Sequence, residues 1–238
     1  MYKEKWFGVK LRIIQIHMPE MTRRYQDYRI PIAHEGCYLA GGSLCLAALT
    51  AYRNWRWSLL PIAVAGIAAC FFRDPERALP TREDGRLYAP ADGQVLLVDE
   101  VEEEDFIKGP AYRIAIYLSL FDVHINRSPT TGIVRYRKYV SGTFHPAWNK
   151  NVPTQNERHY LGVETARGPI LVVQMAGIVA RRIVCWPQEG EAVMAGERIG
   201  LIRFGSRTDL LFPKSMGRPL VAPGLRVYAA LTPVAGTP

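Results

Sequence analysis

Tyr112–Leu120 reads YRIAIYLSL and Ile133–Val140 reads IVRYRKYV, two short runs rich in β-branched and aromatic residues. Three more of the same kind follow: Tyr160–Thr165, Ile170–Met175 (ILVVQM) and Arg182–Cys185. Turn dipeptides separate them: Asp92-Gly93, Thr131-Gly132, Ser141-Gly142, Arg167-Gly168, Glu189-Gly190 and Pro223-Gly224. Strands so closely spaced predict a mainly β fold, a compact barrel-like β-sandwich, rather than βαβ units. Gly190–Ile199 and Pro219–Tyr228 are expected to cross it as strands, and the acidic run Glu102–Asp105 to be a solvated loop.

Upstream of Arg73 the character changes. Gly36–Tyr52 and Trp57–Phe72 carry no charged residue, and Arg53-Asn54-Trp55-Arg56 joins them. Each run is near the lower limit of about 17 residues for a membrane span. Arg53 and Arg56 could snorkel while Trp55 and Trp57 sit at the interface. The expectation is a helical membrane hairpin over residues 36–72, with a buried hairpin of a soluble protein as the alternative. Residues 1–35 mix Trp6, Phe7, Ile13 and Ile16 with Lys5, Lys10, Arg12, Arg23 and Arg24, which reads as a basic amphipathic segment on a membrane surface rather than a cleaved signal. Lys and Arg are denser on both flanks of the hairpin than in its connection. The β-rich part, 73–238, is therefore expected on the cytoplasmic side of the cell (inner) membrane.

Lys and Arg (30) exceed Asp and Glu (22), for a formal charge of +8, which suits an anionic partner. No nucleic-acid module accompanies that charge, so a lipid surface fits better. Cys37, Cys45, Cys70 and Cys185 form no C-x-x-C pair, and neither a disulfide framework nor a metal site is expected. Walker, H-E-x-x-H and G-x-S-x-G motifs are missing from the sequence.

Taken singly, the remaining polar features are bland. Gly205-Ser206 and Asp92-Gly93 read as turns, His124 as a structural histidine, and Asn156-Glu157-Arg158 as a surface turn. Their order is not bland. FFRDPER (71–77) precedes APADG (89–93), then LSLFDVHINRSP (118–129), NER (156–158), VQMAG (173–177) and GLIRFGSR (200–207). From Phe71 onward this series resembles the short, prokaryotic branch of the phosphatidylserine decarboxylase family.

The resemblance implies a pyruvoyl-dependent decarboxylase whose substrate is phosphatidylserine or a related serine phospholipid. The hydroxyl of Ser206 would attack the Gly205 carbonyl, splitting the chain into a β chain, 1–205, and an α chain, 206–238, capped by a pyruvoyl group. That group would hold the lipid's amine as a Schiff base and take up the electrons left when carbon dioxide departs. His124 is the expected proton donor to the product, and Asp92 matches the family's relay aspartate. One position departs from the longer branch, where a second histidine follows the first by three residues: here it is Arg127. Either His124 serves both self-cleavage and decarboxylation, or Ser206 is activated differently, leaving Arg127 to bind the substrate's phosphate or carboxylate. Homo-oligomers are compatible with this reading. The rival from another class is a non-enzymatic membrane-anchored β-domain adaptor, in which Gly205-Ser206 is only a turn.

Overall fold

The computed structural model describes residues 32–77, 85–145, 152–177, 182–202 and 206–236. Two helices come first, α1 (His34–Arg53) and α2 (Trp55–Phe71). β1 (Leu87–Tyr88), β2 (Gly93–Glu103), β3 (Gly109–Leu118), β4 (Ile125–Arg127) and β5 (Gly132–Val140) follow. After the short α3 (Val152–Gln155) come β6 (Arg158–Thr165), β7 (Gly168–Met175), β8 (Ile183–Cys185), β9 (Ala192–Val193) and β10 (Arg198–Ile202). The chain ends with β11 (Ser206–Pro213), β12 (Arg218–Pro219), β13 (Arg226–Val227) and β14 (Pro233–Gly236).

The five runs expected as strands are β3 and β5 to β8, with ends shifted by up to three residues. They do not build a sandwich of two matched sheets. Eight strands form one antiparallel sheet in the order β13-β2-β3-β11-β7-β6-β5-β9, curled into a half-barrel. Two three-stranded sheets, β4-β10-β8 and β1-β14-β12, accompany it. The expected crossing strands are shorter than predicted: β9 and the start of β10 within 190–199, β12 and β13 around 219–228.

Buried Ile114, Ile116, Leu161, Val163, Val172, Leu210 and Phe212 form the centre of the main core, with Leu87, Val227 and Val234 from the short strands. β11 lies between β3 and β7, and Ser206–Phe212 is buried on both faces. Arg207 and Asp209 pair across one face of this strand (2.6 and 2.8 Å), leaving the alternate residues Ser206 and Thr208 on the other. Burial pushes the Asp209 carboxyl above its ordinary range, and the Arg207 guanidinium opposes that push.

Two expectations are corrected here. Glu103 is no loop residue: it ends β2, and its carboxylate accepts the backbone N–H groups of Asp105 (3.1 Å), Phe106 (2.9 Å) and Ile107 (2.5 Å), closing the turn into β3. The hairpin does form, with α1 packed on α2 and Asn54 capping α2 through Arg56 N–H (3.0 Å), but neither helix is long and apolar enough to cross a membrane. At ~1.5 Å per residue, the 17 residues of α2 span about 26 Å, short of a ~30 Å hydrocarbon core. α1 is longer, but Gly41, Gly42, Ser43 and Thr50 dilute it and Glu35 and Arg53 sit in its end turns. Most of the basic segment 1–35 lies outside the described residues.

The foot of the hairpin is packed on the β4-β10-β8 sheet. Ala33, Phe71 and Phe72 cluster with Val123, Ile125 and Leu201, and Ala33 N–H donates to Phe72 O (2.7 Å). Its outer surface stays apolar, with Leu44, Leu49, Trp55, Trp57, Leu60 and Ile67 exposed.

Candidate active site

Strand pairing gathers the chemistry-bearing residues at one end of the large sheet. Ser206 opens β11 opposite Leu118, the last residue of β3. Gly93 opens β2, and its φ of 153° together with the Tyr117 carbonyl against its Cα leaves no space for a side chain. Asp92 immediately precedes it. His124 immediately precedes β4, whose Ile125 pairs with Leu201 of β10, and Ile202 N–H donates to His124 O (3.3 Å). Two residues farther along both segments, Asn126 Nδ2 donates to Thr208 Oγ1 (3.3 Å). The Asn126–Thr208 bond thus ties the segment that begins with His124 to the one that begins with Ser206, and both His124 and Ser206 are fully buried. Residues 203–205, Gly205 among them, lie outside the described residues.

His124 is fully buried, and its Nδ1 sits 2.9 Å from the Asp122 carbonyl oxygen. A carbonyl only accepts, so Nδ1 carries the proton and Nε2 presents its lone pair. Phe71 covers the imidazole, ring centroids 4.3 Å apart. Burial, against the pull of Asp122, pushes the imidazole pKa down to about 4. Neutral at pH 7, His124 is therefore a base. Its Nε2 and the Ser206 Oγ are both buried without a hydrogen-bond partner among the described residues.

Asp122 shapes the approach to this histidine. Its carboxylate accepts Ser119 N–H (2.8 Å) and Oγ–H (2.7 Å) and pairs with Arg226, while Arg73 donates to Phe121 O. Asp92 is held elsewhere: Arg77 grips both of its oxygens (2.6 and 2.7 Å) and Ala229 N–H adds a third bond (2.8 Å). Asp92 makes no hydrogen bond to the imidazole among the described residues, although its charge favours the imidazolium.

Arg127 is committed to partners within the protein. It is buried, donates to Asp74 Oδ1 (3.0 Å), Pro75 O (3.0 Å) and Gly196 O (3.1 Å), and burial lowers its pKa to about 10. The other Asp74 oxygen takes Arg198 Nε (2.5 Å), and Arg198 also holds Glu76 (2.6 Å). The DPER segment is thus a strap: Asp74 and Glu76 bind β4 and β10, and Arg77 binds the start of β2. Asn156, read from sequence as part of a surface turn, is buried; its amide bonds His145 N–H (3.0 Å), His145 O (2.8 Å) and Ala176 O (2.7 Å). Asn126 and Thr208 are buried residues of this part of the fold that sequence reasoning did not single out. Polar residues at alternate positions of apolar runs were the available signal.

Residues 65–235 match the family described as phosphatidylserine decarboxylase. A relative named phosphatidylserine decarboxylase proenzyme, from Symbiobacterium thermophilum, is 48% identical over 214 residues, 89% of this chain and 99% of its own length. Proteins of the same name from Carboxydothermus hydrogenoformans and Nitrosomonas eutropha are 42% and 37% identical, over 79% and 90% of this chain and 87% and 99% of their own.

Proposed function

Because the chain belongs to the phosphatidylserine decarboxylase family, we propose that it decarboxylates the serine head group of phosphatidylserine with a pyruvoyl group made from its own Ser206. The observation that carries the cofactor reading is the buried Ser206 Oγ at the start of a central strand, which, like His124 Nε2, lacks a hydrogen-bond partner among the described residues. Two polar atoms left without partners in a buried site are unfavourable for folding alone. They suit a serine that must lose its proton and a base that must take it.

In self-cleavage Nε2 of His124 takes the Ser206 proton as Oγ attacks the Gly205 carbonyl, exchanging the amide for an ester. Loss of the Ser206 Cα proton then expels the Gly205 carboxylate, and hydrolysis of the resulting dehydroalanine releases ammonia. β11 stays paired on both sides, so the new α chain begins inside the sheet. The pyruvoyl group supplies the electron sink that decarboxylation of an α-amino acid requires. His124 returns a proton from Nε2 to the substrate's Cα, and the charges of Asp122 and Asp92 favour the imidazolium that carries it. Asp92 acts by field and by locking Arg77 rather than by touching the imidazole.

Attachment follows from the hairpin's exposed apolar surface and the net positive charge. The hairpin lies against an anionic membrane surface without crossing it, with the Ser206 end of the sheet at its foot. The domains are the basic N-terminal segment 1–35, the hairpin 36–72 and the catalytic part 73–238. Intact-mass measurement tests the cofactor reading: the wild-type chain should be two polypeptides, divided between Gly205 and Ser206. Ser206→Ala should remain one chain without decarboxylase activity, and normal processing of that variant would end the proposal.

A further inference from the structure

Six buried side-chain polar atoms lack a hydrogen-bond partner among the described residues, one of them on Glu35 of α1 and the other five in the β-rich part. Besides Ser206 Oγ and His124 Nε2 these are Gln174 Oε1, His159 Nδ1 and Arg137 Nε. The sheet register relates Ser206, Gln174, His159 and Arg137 to one another. His159 on β6 pairs with Gln174 on β7, and Gln174 pairs with Thr208 on β11, two residues from Ser206. Residues directly opposite one another in an antiparallel sheet share a face, so all three point to the side that Ser206 occupies. Tyr139 is opposite His159 on β5, which puts Arg137, two residues away, on that side too.

We propose that Gln174 and His159 form a subsite for the substrate's head group, in which Gln174 Oε1 accepts from the serine amino group and His159, backed by Arg137, faces the phosphate. The proposal deepens the decarboxylase reading and rests on it. The orientation of Gln174 is determined by its neighbours: Nε2 donates to Asn126 Oδ1 (2.7 Å), and the Asn126 amide nitrogen is committed to Thr208. Oε1 is therefore the free atom, an acceptor on the face of the sheet that Thr208 and Ser206 share. Gly200 makes room for it, since a Cβ there would stand 2.7 Å from Gln174 Nε2. At the other end, burial and then the charge of Arg137 press the His159 pKa down to about 4, so it presents a neutral ring. The Arg137 guanidinium uses its terminal nitrogens on Gln188 Oε1 and on Cys185 O (3.3 Å), leaving Nε–H for an anion. The spacing agrees with the ligand: amine nitrogen and phosphorus of a phosphoserine head group are four bonds apart, and paired residues on adjacent strands stand ~5 Å apart.

The test uses full-length Ser206→Ala protein in detergent, so that binding is read without turnover. Calorimetry with glycerophosphoserine measures the whole head group, and glycerol phosphate measures the phosphate alone. Gln174→Met should weaken glycerophosphoserine about tenfold, or about 1.4 kcal/mol, and leave glycerol phosphate unchanged. His159→Leu should weaken both probes, whereas His159→Asn, whose Nδ2 can stand in for the imidazole Nδ1, should bind them nearly as the parent does. Three results each overturn the subsite: no binding of glycerophosphoserine by the parent, parent-like binding by Gln174→Met, or equal losses in His159→Asn and His159→Leu. Failure of the cofactor reading shows separately, as an undivided wild-type chain by mass.

Discussion

Two histidines held neutral inside the protein make its stability depend on pH in a predictable direction. His124 and His159 each drop from 6.5 to about 4 on folding, mainly through burial. The unfolded chain thus binds more protons than the folded one between these values. Stability is full above pH 6.5, falls as the pH drops toward 4, and levels off below that. Each histidine contributes about 1.4 kcal/mol per pH unit within the window, so acidification from 6.5 to 5 removes about 2 kcal/mol per histidine and about 4 for the pair. Against a total of ~5–15 kcal/mol this is a large fraction. Glu197, whose pKa burial raises, works in the opposite sense on acidification, so the informative quantity is a difference. Urea unfolding of full-length Ser206→Ala in detergent, from about pH 7.5 to 5, is compared with the same chain carrying His124→Leu and His159→Leu. The carboxylates are common to both proteins and cancel. The parent should lose about 4 kcal/mol more than the double variant across that range. Parallel profiles would show that neither imidazole is neutral because of its burial.

The remaining expectations are shorter. His124→Ala should stay one uncut chain by mass, because its Nε2 is a buried acceptor without a hydrogen-bond partner among the described residues; a fully processed variant with normal turnover would remove His124 from the mechanism. Arg127→Leu should cost about 3–5 kcal/mol in chemical denaturation, since it leaves buried Asp74 with only part of its partners; a change below about 1 kcal/mol would contradict the strap. Detergent should extract the wild-type protein from membranes where a high-salt wash does not, and release by salt alone would mean that charge, not the hairpin's apolar face, holds it.

The parts of this fold legible in the sequence are those where one physical rule acts locally. Tyr112–Leu120 and Ile170–Met175 are strands because β-branched and aromatic side chains suit a pleated, buried surface, and no longer-range fact is needed. The uncharged runs around Arg53–Arg56 become helices for an equally local reason, yet their relation to a membrane depends on length: α2 is too short by a few ångström, which composition does not reveal. Glu103 departs from the solvated loop that an acidic run suggests, because three consecutive N–H groups can claim a carboxylate only once the turn exists. The strap was illegible for a different reason. Asp74 meets Arg127 and Arg198 across 53 and 124 residues of chain, and no periodicity encodes such a meeting.

Arg127 shows how the chemistry depended on that missing link. By itself an arginine in place of a second histidine allows three readings: a lost base, a substrate clamp or a structural cation. Its burial against Asp74, Pro75 and Gly196 selects the third. In the proposed mechanism proton transfer at this end of β4 is assigned to the His124 imidazole, and the orienting group on Nδ1 is the Asp122 carbonyl rather than a carboxylate. A carbonyl fixes the tautomer without adding a full negative charge. The imidazole pKa is accordingly free to fall under burial. A base of low pKa is weak but unprotonated at neutral pH, the state in which Nε2 can accept a proton.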